Sequence, residues 1–256
     1  MLAIIGGTGL TNLANLEITK REVVRTPYGD PSGHLTFGRI GKAEMIFLAR
    51  HGYGHTIPPH EVNYRANIWA LAKAGARRVI AVNAVGGVSA EMGPGVLAVP
   101  DQLIDYTWGR KHTYFESDAP VTHVDFTFPF CETGRLLLLA AAKACKIPVR
   151  EDGTVGVMQG PRLETQAEIR RLARDGCSMV GMTTMPEAAL AREQKLSYAT
   201  LALSMNHAAG LGSSAEGIKL ADAEAVLATG MEKVRLILAR VVELHSAMPA
   251  HQQGLE

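Results

Sequence analysis

The chain is poor in the features that mark specialised classes. It has three cysteines in 256 residues, Cys131, Cys145 and Cys177, with no C-x-x-C pair. That excludes a disulfide scaffold and a cysteine zinc site, and it fits a reducing cytoplasm. Neither sign of charge is in excess: 26 Lys and Arg stand against 25 Asp and Glu, a formal net charge of +1. A nucleic-acid binder would show a surplus of Lys and Arg, so no nucleic-acid partner is expected. The longest apolar run, Leu136 to Ala142, is seven residues. That is far short of the roughly 20 a membrane-spanning helix needs, so no membrane partner is expected either. Met1–Gly7 lacks the basic flank and long apolar segment of a secretory signal. Internal repeats, charge blocks and low-complexity linkers are missing too. Hydrophobic residues make up 47% and charged residues 20%, the composition of an ordinary globular protein. A cytoplasmic α/β enzyme is the expectation.

Strand-like and helix-like segments alternate. Leu2–Ile5 is a short apolar run stopped by glycines, the pattern of a buried strand. Residues 17–50 show no helical period, only β-rich runs such as Leu35–Ile40 and Ala43–Ala49 beside the turn cluster Pro27–Gly33. From Val62 the period becomes helical, with Val62, Ala66, Trp69 and Ala70 on one face and Gly75 as the stop. Arg78–Val82 reads as a strand ending at Asn83–Gly87. Helices are expected at 133–145, 165–175, 186–195 and 221–246, and strands near 154–159, 178–182 and 198–205. Residues 107–130 are too irregular for a core element and too aromatic for a linker, which points to a functional or partner-packed loop. The pattern predicts one α/β domain over residues 1–248, with a central mixed sheet flanked by helices on both faces. A flexible tail is expected at 249–256.

Several motifs fall at strand ends. Gly6-Gly7-Thr8-Gly9-Leu10 lets backbone approach an anion, with N–H groups and the Thr8 hydroxyl as donors. A dinucleotide fingerprint would place a third glycine at position 12, which is Asn12, and would continue into a helix. An NAD-dependent oxidoreductase is thus a rival of a different class, and a plain tight turn accounts for the glycines equally well. Arg50 opens a glycine-rich turn suited to bidentate anion contact. His51, His55 and His60 invite zinc, but no Glu separates His51 from His55 and the spacing matches no helical His pair. No metal is expected. Gln159–Thr165 and Met182–Glu187 are strand-to-helix junctions. Thr183 can add a hydroxyl to an anion site, or serve as a simple helix cap. Asn206 ends the last strand with an amide that both donates and accepts. Strand ends are where α/β sheets place ligand sites.

The ordered motifs GGTGL, RHG..H...PH.VNYRANI.AL, NAVGG, DQLID.T, PFC, GPR and MTTMPEA.LARE span about residues 2–207. Together they resemble the methylthioadenosine and purine nucleoside phosphorylase family. The resemblance implies an α/β fold assembled as a homotrimer with active sites at subunit boundaries. It implies cleavage of a purine nucleoside by inorganic phosphate, a co-substrate, with no cofactor. Carried over position by position, the phosphate site falls on Thr8, Arg50, His51, the Asn83–Ala84 turn and Thr183. Members that process methylthioadenosine usually have Thr where this chain has Asn83. The ribose contact falls on Met182, and His123 corresponds to a residue reaching into the neighbouring subunit's site.

Departures from that pattern carry the substrate expectation. Adenine-cleaving relatives have Asp-x-Asp after the last strand, where this chain has Asn206, His207 and Ala208. An Asn amide can donate to a 6-oxo group and accept from a protonated N7, whereas an ionised Asp has no donor for O6. The same relatives have Phe-Ser after GPR, where this chain has Leu163-Glu164. Glu164 resembles the 6-oxopurine phosphorylases, whose carboxylate accepts from the purine N1–H. Where ordinary nucleoside phosphorylases place a His for the ribose 5′-hydroxyl, Leu220 aligns, with Ile218 nearby, and apolar groups favour a methylthio substituent. The expected reaction is phosphorolysis of S-methyl-5′-thioinosine to hypoxanthine and 5-methylthio-α-ribose 1-phosphate. The alternatives are a 6-oxopurine (inosine or guanosine) nucleoside phosphorylase and a methylthioadenosine phosphorylase. Asn206, Glu164, Arg50 and His51 are the expected catalytic residues. Leu163, Met182, His207, Ala208, Ile218, Leu220 and His123 are the further substrate contacts.

Overall fold

The computed structural model describes residues 1–10, 13, 16–116 and 120–249. Of the expected tail, residues 250–256 lie outside the described residues.

The central strands are apolar on both faces because both are covered. In β1 (Leu2–Gly6), Leu2 and Ile4 enter one core with Phe47 and Ile80, lined by Leu138 and Ile237. Ala3 and Ile5 enter the opposite core with Ile46 and Val79, lined by Ile68 and Leu190. Alternation along a strand thus serves two cores at once, as in sheets sandwiched between helices. The first core is covered by α2 (Glu132–Ala144) and α5 (Leu220–Ala247), the second by α1 (Tyr64–Lys73) and α4 (Thr184–Glu193). A third cluster packs Ile169 and Leu172 of α3 (Gln166–Arg174) on Cys177 and Val180.

Local chemistry fixes the helix starts. The Asn63 side chain accepts from the Ala66 N–H at 3.1 Å and caps α1. Thr165 and Glu168 form a reciprocal capping box at α3. Met185 is non-helical (φ −112°, ψ 137°), so the regular part of α4 opens at Pro186, where a missing N–H costs nothing.

The strands form one ten-stranded mixed sheet, as the alternation of elements implies. β1 pairs in parallel with β4 (Ala43–Ala49) and with β5 (Arg78–Gly87). β3 (Leu35–Ile40) and β2 (Glu17–Glu22) extend it antiparallel beyond β4. β9 (Met179–Gly181), β8 (Thr154–Val157) and β7 (Gln102–Asp105) continue the other side. β10 (Ser197–His207) follows β5 along its whole length and also pairs with β6 (Leu97–Ala98). β2 and β7 were not foreseen. β2 is exposed almost throughout and β7 is short and half-buried, so neither shows an apolar rhythm.

Because β10 occupies one edge of β5, β1 and β9 must share the other. β1 takes Arg78–Ala81 and β9 takes Gly86 and Gly87. The sheet is therefore split opposite residues 82–85, and this split positions the site. Among the described residues no helix is long and apolar enough to cross a membrane.

Candidate active site

A cavity of about 500 Å³ opens at the split. The turn after β1 forms part of its wall, and close approach explains its glycines. A Cβ on Gly7 would lie 2.4 Å from the Val82 carbonyl oxygen and 3.0 Å from Arg50 Nη1. One on Gly6 would lie 2.1 Å from the Leu10 oxygen. Thr8 follows them into the cavity wall. Among the described residues, no helix follows β1 before the next strands. β2, β3 and β4 come next, antiparallel to one another, before β4 returns beside β1. That is not the dinucleotide-binding arrangement.

Arg50 lines the cavity and is 1% exposed. Its Nε and Nη2 both donate to Glu187, at 2.7 Å each, and Nη1 donates to the Val82 oxygen at 2.9 Å. Tyr198 donates its hydroxyl to the same carboxylate at 2.8 Å. Burial opposes the guanidinium charge, but Glu187 outweighs it and raises the Arg50 pKa above its ordinary value. Burial, then the Glu187 charge, pushes the Tyr198 phenol up as well. Three of the five Arg50 N–H groups are engaged by these bonds, so the fork keeps donors for an anion while its own direction is fixed. Glu187 and Tyr198 were not anticipated. Glu187 stood inside a recognised motif, but nothing in the sequence distinguishes a buried counter-ion from an acidic residue in a helix's first turn.

Thr183 lines the cavity and occupies the N-cap position of α4, yet its side chain makes no cap hydrogen bond. Its Oγ1 instead accepts from Asn83 Nδ2 at 2.7 Å. Asn83 Oδ1 accepts in turn from the Thr200 hydroxyl. Asn83 is buried and does not line the cavity, while its neighbour Ala84 does. Of the expected Asn83–Ala84 turn, Ala84 meets the cavity directly, while alternation along β5 places the Asn83 side chain behind Thr183. With its oxygen filled by an amide donor, the Thr183 hydroxyl proton is free to point at a ligand. Asn83→Leu should therefore raise the KM for phosphate by about tenfold, the worth of one oriented hydrogen bond. Initial rates against phosphate at saturating nucleoside check this; an unchanged phosphate KM would remove Asn83 from the site.

His51 also lines the cavity. Its Nδ1 lies 2.8 Å from the Ile57 oxygen, and a carbonyl only accepts, so Nδ1 carries the proton and Nε2 presents a lone pair. Burial, aided by the Arg50 charge, pushes the ring pKa down to about 4. His245, buried in α5 beside Arg78, is pushed down to about 4 by burial and by that charge. Both folded values lie below the unfolded histidine value of about 6.5, so the unfolded chain binds more protons between pH 6.5 and 4. Stability should fall as pH drops through that window and stay level, for these groups, above it. Thermal melts from pH 7.5 to 4.5 test this. His245→Gln should flatten the acid limb, and an equally steep limb would contradict the assignment.

Leu163, Glu164, Met182, Asn206, Ala208, Ile218 and Leu220 line the same cavity. A register shift between Ser204 and Asn206, where β10 bulges against β5, accounts for two consecutive residues, Met205 and Asn206, both reaching it. Asn206 donates one Nδ2 hydrogen to the His207 oxygen at 2.6 Å and keeps its second N–H and its Oδ1. Burial pushes the Glu164 carboxyl up from the usual range. Leu220 is 64% exposed, so it meets the cavity at its rim.

Two expected substrate contacts are not brought into this cavity. His207 lies outside the lining. Its Nδ1 sits 3.0 Å from the Ser213 hydroxyl and accepts from the Ser213 N–H at 3.3 Å, tying down the turn at Gly212–Ser214. The alternation of β10 past its bulge turns the ring away from Asn206. His123 is exposed and likewise outside the cavity. Among the described residues, no three His, Cys, Asp or Glu side chains converge as metal ligands.

Comparisons with known proteins identify the family. The chain is 54% identical over 241 residues to a probable S-methyl-5′-thioinosine phosphorylase of Pseudomonas syringae, covering 94% of this chain and 97% of that one. It is 44% identical to a 6-oxopurine nucleoside phosphorylase of Pyrococcus furiosus, covering 94% and 91%. The fold superposes on the methylthioadenosine phosphorylase of Schistosoma mansoni in complex with adenine with a TM-score of 0.94 at 33% identity, covering 98% and 94%. The sequence profile of the phosphorylase superfamily matches residues 1–243. Sequence and superposition agree, and the chain belongs to the phosphorylase superfamily.

Proposed function

We propose that this enzyme cleaves S-methyl-5′-thioinosine with inorganic phosphate, giving hypoxanthine and 5-methylthio-α-ribose 1-phosphate. The observation that carries the reading is the presence of Glu164 and Asn206 on the cavity that also holds Arg50 and Thr183. Phosphate is held by Arg50, by the Thr8 and Thr183 hydroxyls and beside Ala84. The His51 lone pair accepts from the hydroxyl of a protonated phosphate rather than opposing an oxyanion. Phosphate then attacks C1′ as the glycosidic bond loosens, and its charge stabilises the cationic sugar. Asn206 donates to O6 and accepts from N7–H once N7 has taken up a proton from solvent, while Glu164 accepts from N1–H, so the departing purine is stabilised. Ile218 and Leu220 offer apolar contact to the methylthio group. The Pseudomonas syringae relative, at 54% identity, supports this substrate over the 6-oxopurine nucleosides of the relative at 44%.

The enzyme acts as a homotrimer, with His123 serving the neighbouring subunit's cavity. Support comes from the irregular segment 107–130, where Trp108 is 72% and Phe128 70% exposed in a single subunit. Light scattering gives the subunit count directly.

Product analysis with purified protein and methylthioinosine, methylthioadenosine and inosine, each with and without phosphate, tests the function. Phosphate-dependent hypoxanthine release should be fastest from methylthioinosine. Preference for inosine would overturn the apolar 5′ contact, and preference for methylthioadenosine would overturn the base assignment.

A further inference from the structure

Arg110 lies in the irregular segment 107–130, is 8% exposed and does not line the cavity. Its guanidinium is nevertheless engaged on every side. Nη1 donates to the carbonyl oxygens of Met182 at 2.8 Å and Met185 at 2.6 Å. Nη2 donates to the Gln159 oxygen at 2.7 Å and, more weakly, to that of Met158 at 3.4 Å. Nε donates to Gln159 Oε1 at 3.1 Å. These five contacts match the five N–H groups of an arginine. Nη1 also lies 3.4 Å from the Tyr64 hydroxyl, which donates to the Pro59 oxygen at 2.8 Å.

The segments joined this way are separate walls of the cavity. Met158 and Gln159 lead into Gly160–Glu164, which carries the carboxylate assigned to the base. Met182 and Met185 bracket Thr183, and Pro59 belongs to the wall that follows His51. The first two walls meet directly, since a Cβ on Gly160 would lie 2.5 Å from Met182 Sδ. A planar fork with donors on three nitrogens suits holding these oxygens at once.

We propose that Arg110 is a positioning residue for base selection, one that sets the Glu164 wall in register with the Met182–Thr183 wall. The proposal rests on the assignment of Glu164 to the purine. Arg110 has no donor left for substrate, so it acts only through the segments it holds. A misplacement of a recognition group by about 1 Å can cost roughly 100-fold.

The readout is the ratio of kcat/KM for methylthioinosine over methylthioadenosine, with the ratio of hypoxanthine to adenine affinity by calorimetry as a measure free of turnover. Arg110→Lys keeps the charge and three donors, and a thermal melt shows that it is folded. It should lower both ratios by roughly tenfold, and Arg110→Met by more. Glu164→Gln should lower them also, and the Arg110→Met/Glu164→Gln double variant should lower them no further than Glu164→Gln alone, because both changes act on one contact. Unchanged ratios in a folded, less active Arg110→Lys protein would overturn the proposal, as would effects that multiply in the double variant. Failure of the functional reading looks different. The unsubstituted protein would then show no preference for hypoxanthine over adenine in the calorimeter.

Discussion

Glu187→Gln should destabilise the protein by about 3–5 kcal/mol, the cost of leaving one partner of a buried ion pair uncompensated. The carboxylate receives Arg50 Nε on one oxygen, and Arg50 Nη2 and the Tyr198 hydroxyl on the other. Glutamine replaces one acceptor by a donor, so at least one of these N–H or O–H groups would face another donor at a fully buried position. Activity should fall further than stability. Arg50 would no longer be held over the split between β1 and β9, and the KM for phosphate should rise by roughly 100-fold or more. Urea unfolding and phosphate-dependent rates on one preparation measure both effects. The Arg50→Met/Glu187→Leu double variant separates stability from function, since replacing a buried pair by apolar groups is often neutral for folding. It should regain most of the lost stability and none of the activity. A Glu187→Gln protein with unaltered stability and phosphate KM would show that the pair neither supports the fold nor orients the anion site.

Much of this arrangement is legible in the chain, and what is not follows from the physics of each feature. β1 and β5 are continuous apolar runs because both their faces are buried, so they announce themselves. β2 has no buried face to mark it, and β7 is too short to show a period. Arg50, Glu164 and Asn206 are visible because their chemistry at strand ends is uncommon. Asn83 was identified as a site residue, but its side chain reaches the cavity only through the Thr183 hydroxyl. One residue of register decides whether a strand side chain faces a ligand or lies behind it, and composition does not carry that register. His207 illustrates the same point after the β10 bulge. Arg110 is the extreme case, because four of its acceptors are main-chain oxygens, which leave no trace in a sequence.

Asn206 and Glu164 should together set the choice of purine, and exchanging their chemistry should reverse it. For hypoxanthine, Asn206 supplies a donor to O6 and Glu164 an acceptor for N1–H. Adenine offers a 6-amino donor and an N1 lone pair, so the N–H of Asn206 and the ionised Glu164 both meet the wrong partner. A buried hydrogen-bonding group left unpaired can separate substrates by roughly 10⁴-fold. Glu164→Gln should compress the preference for methylthioinosine over methylthioadenosine by about 100-fold, because an amide serves either N1 state. Asn206→Asp alone should lose the 6-oxopurine substrate by roughly 10³-fold without gaining the adenine one fully. Its carboxylate would oppose the His207 oxygen that the Asn206 amide now contacts at 2.6 Å. The combined Asn206→Asp/Glu164→Gln protein should prefer methylthioadenosine, since the second change removes the acceptor facing N1. Lower pH should assist adenine cleavage by the unsubstituted enzyme in the same sense. The Glu164 pKa is raised by burial, so the carboxyl gains its proton sooner on acidification and can then donate to N1. Specificity constants for the two nucleosides across this series and from pH 5 to 8 test both arms. A ratio that stays within about threefold through all variants would show that the purine is read by other groups, and the base assignment would fall with it.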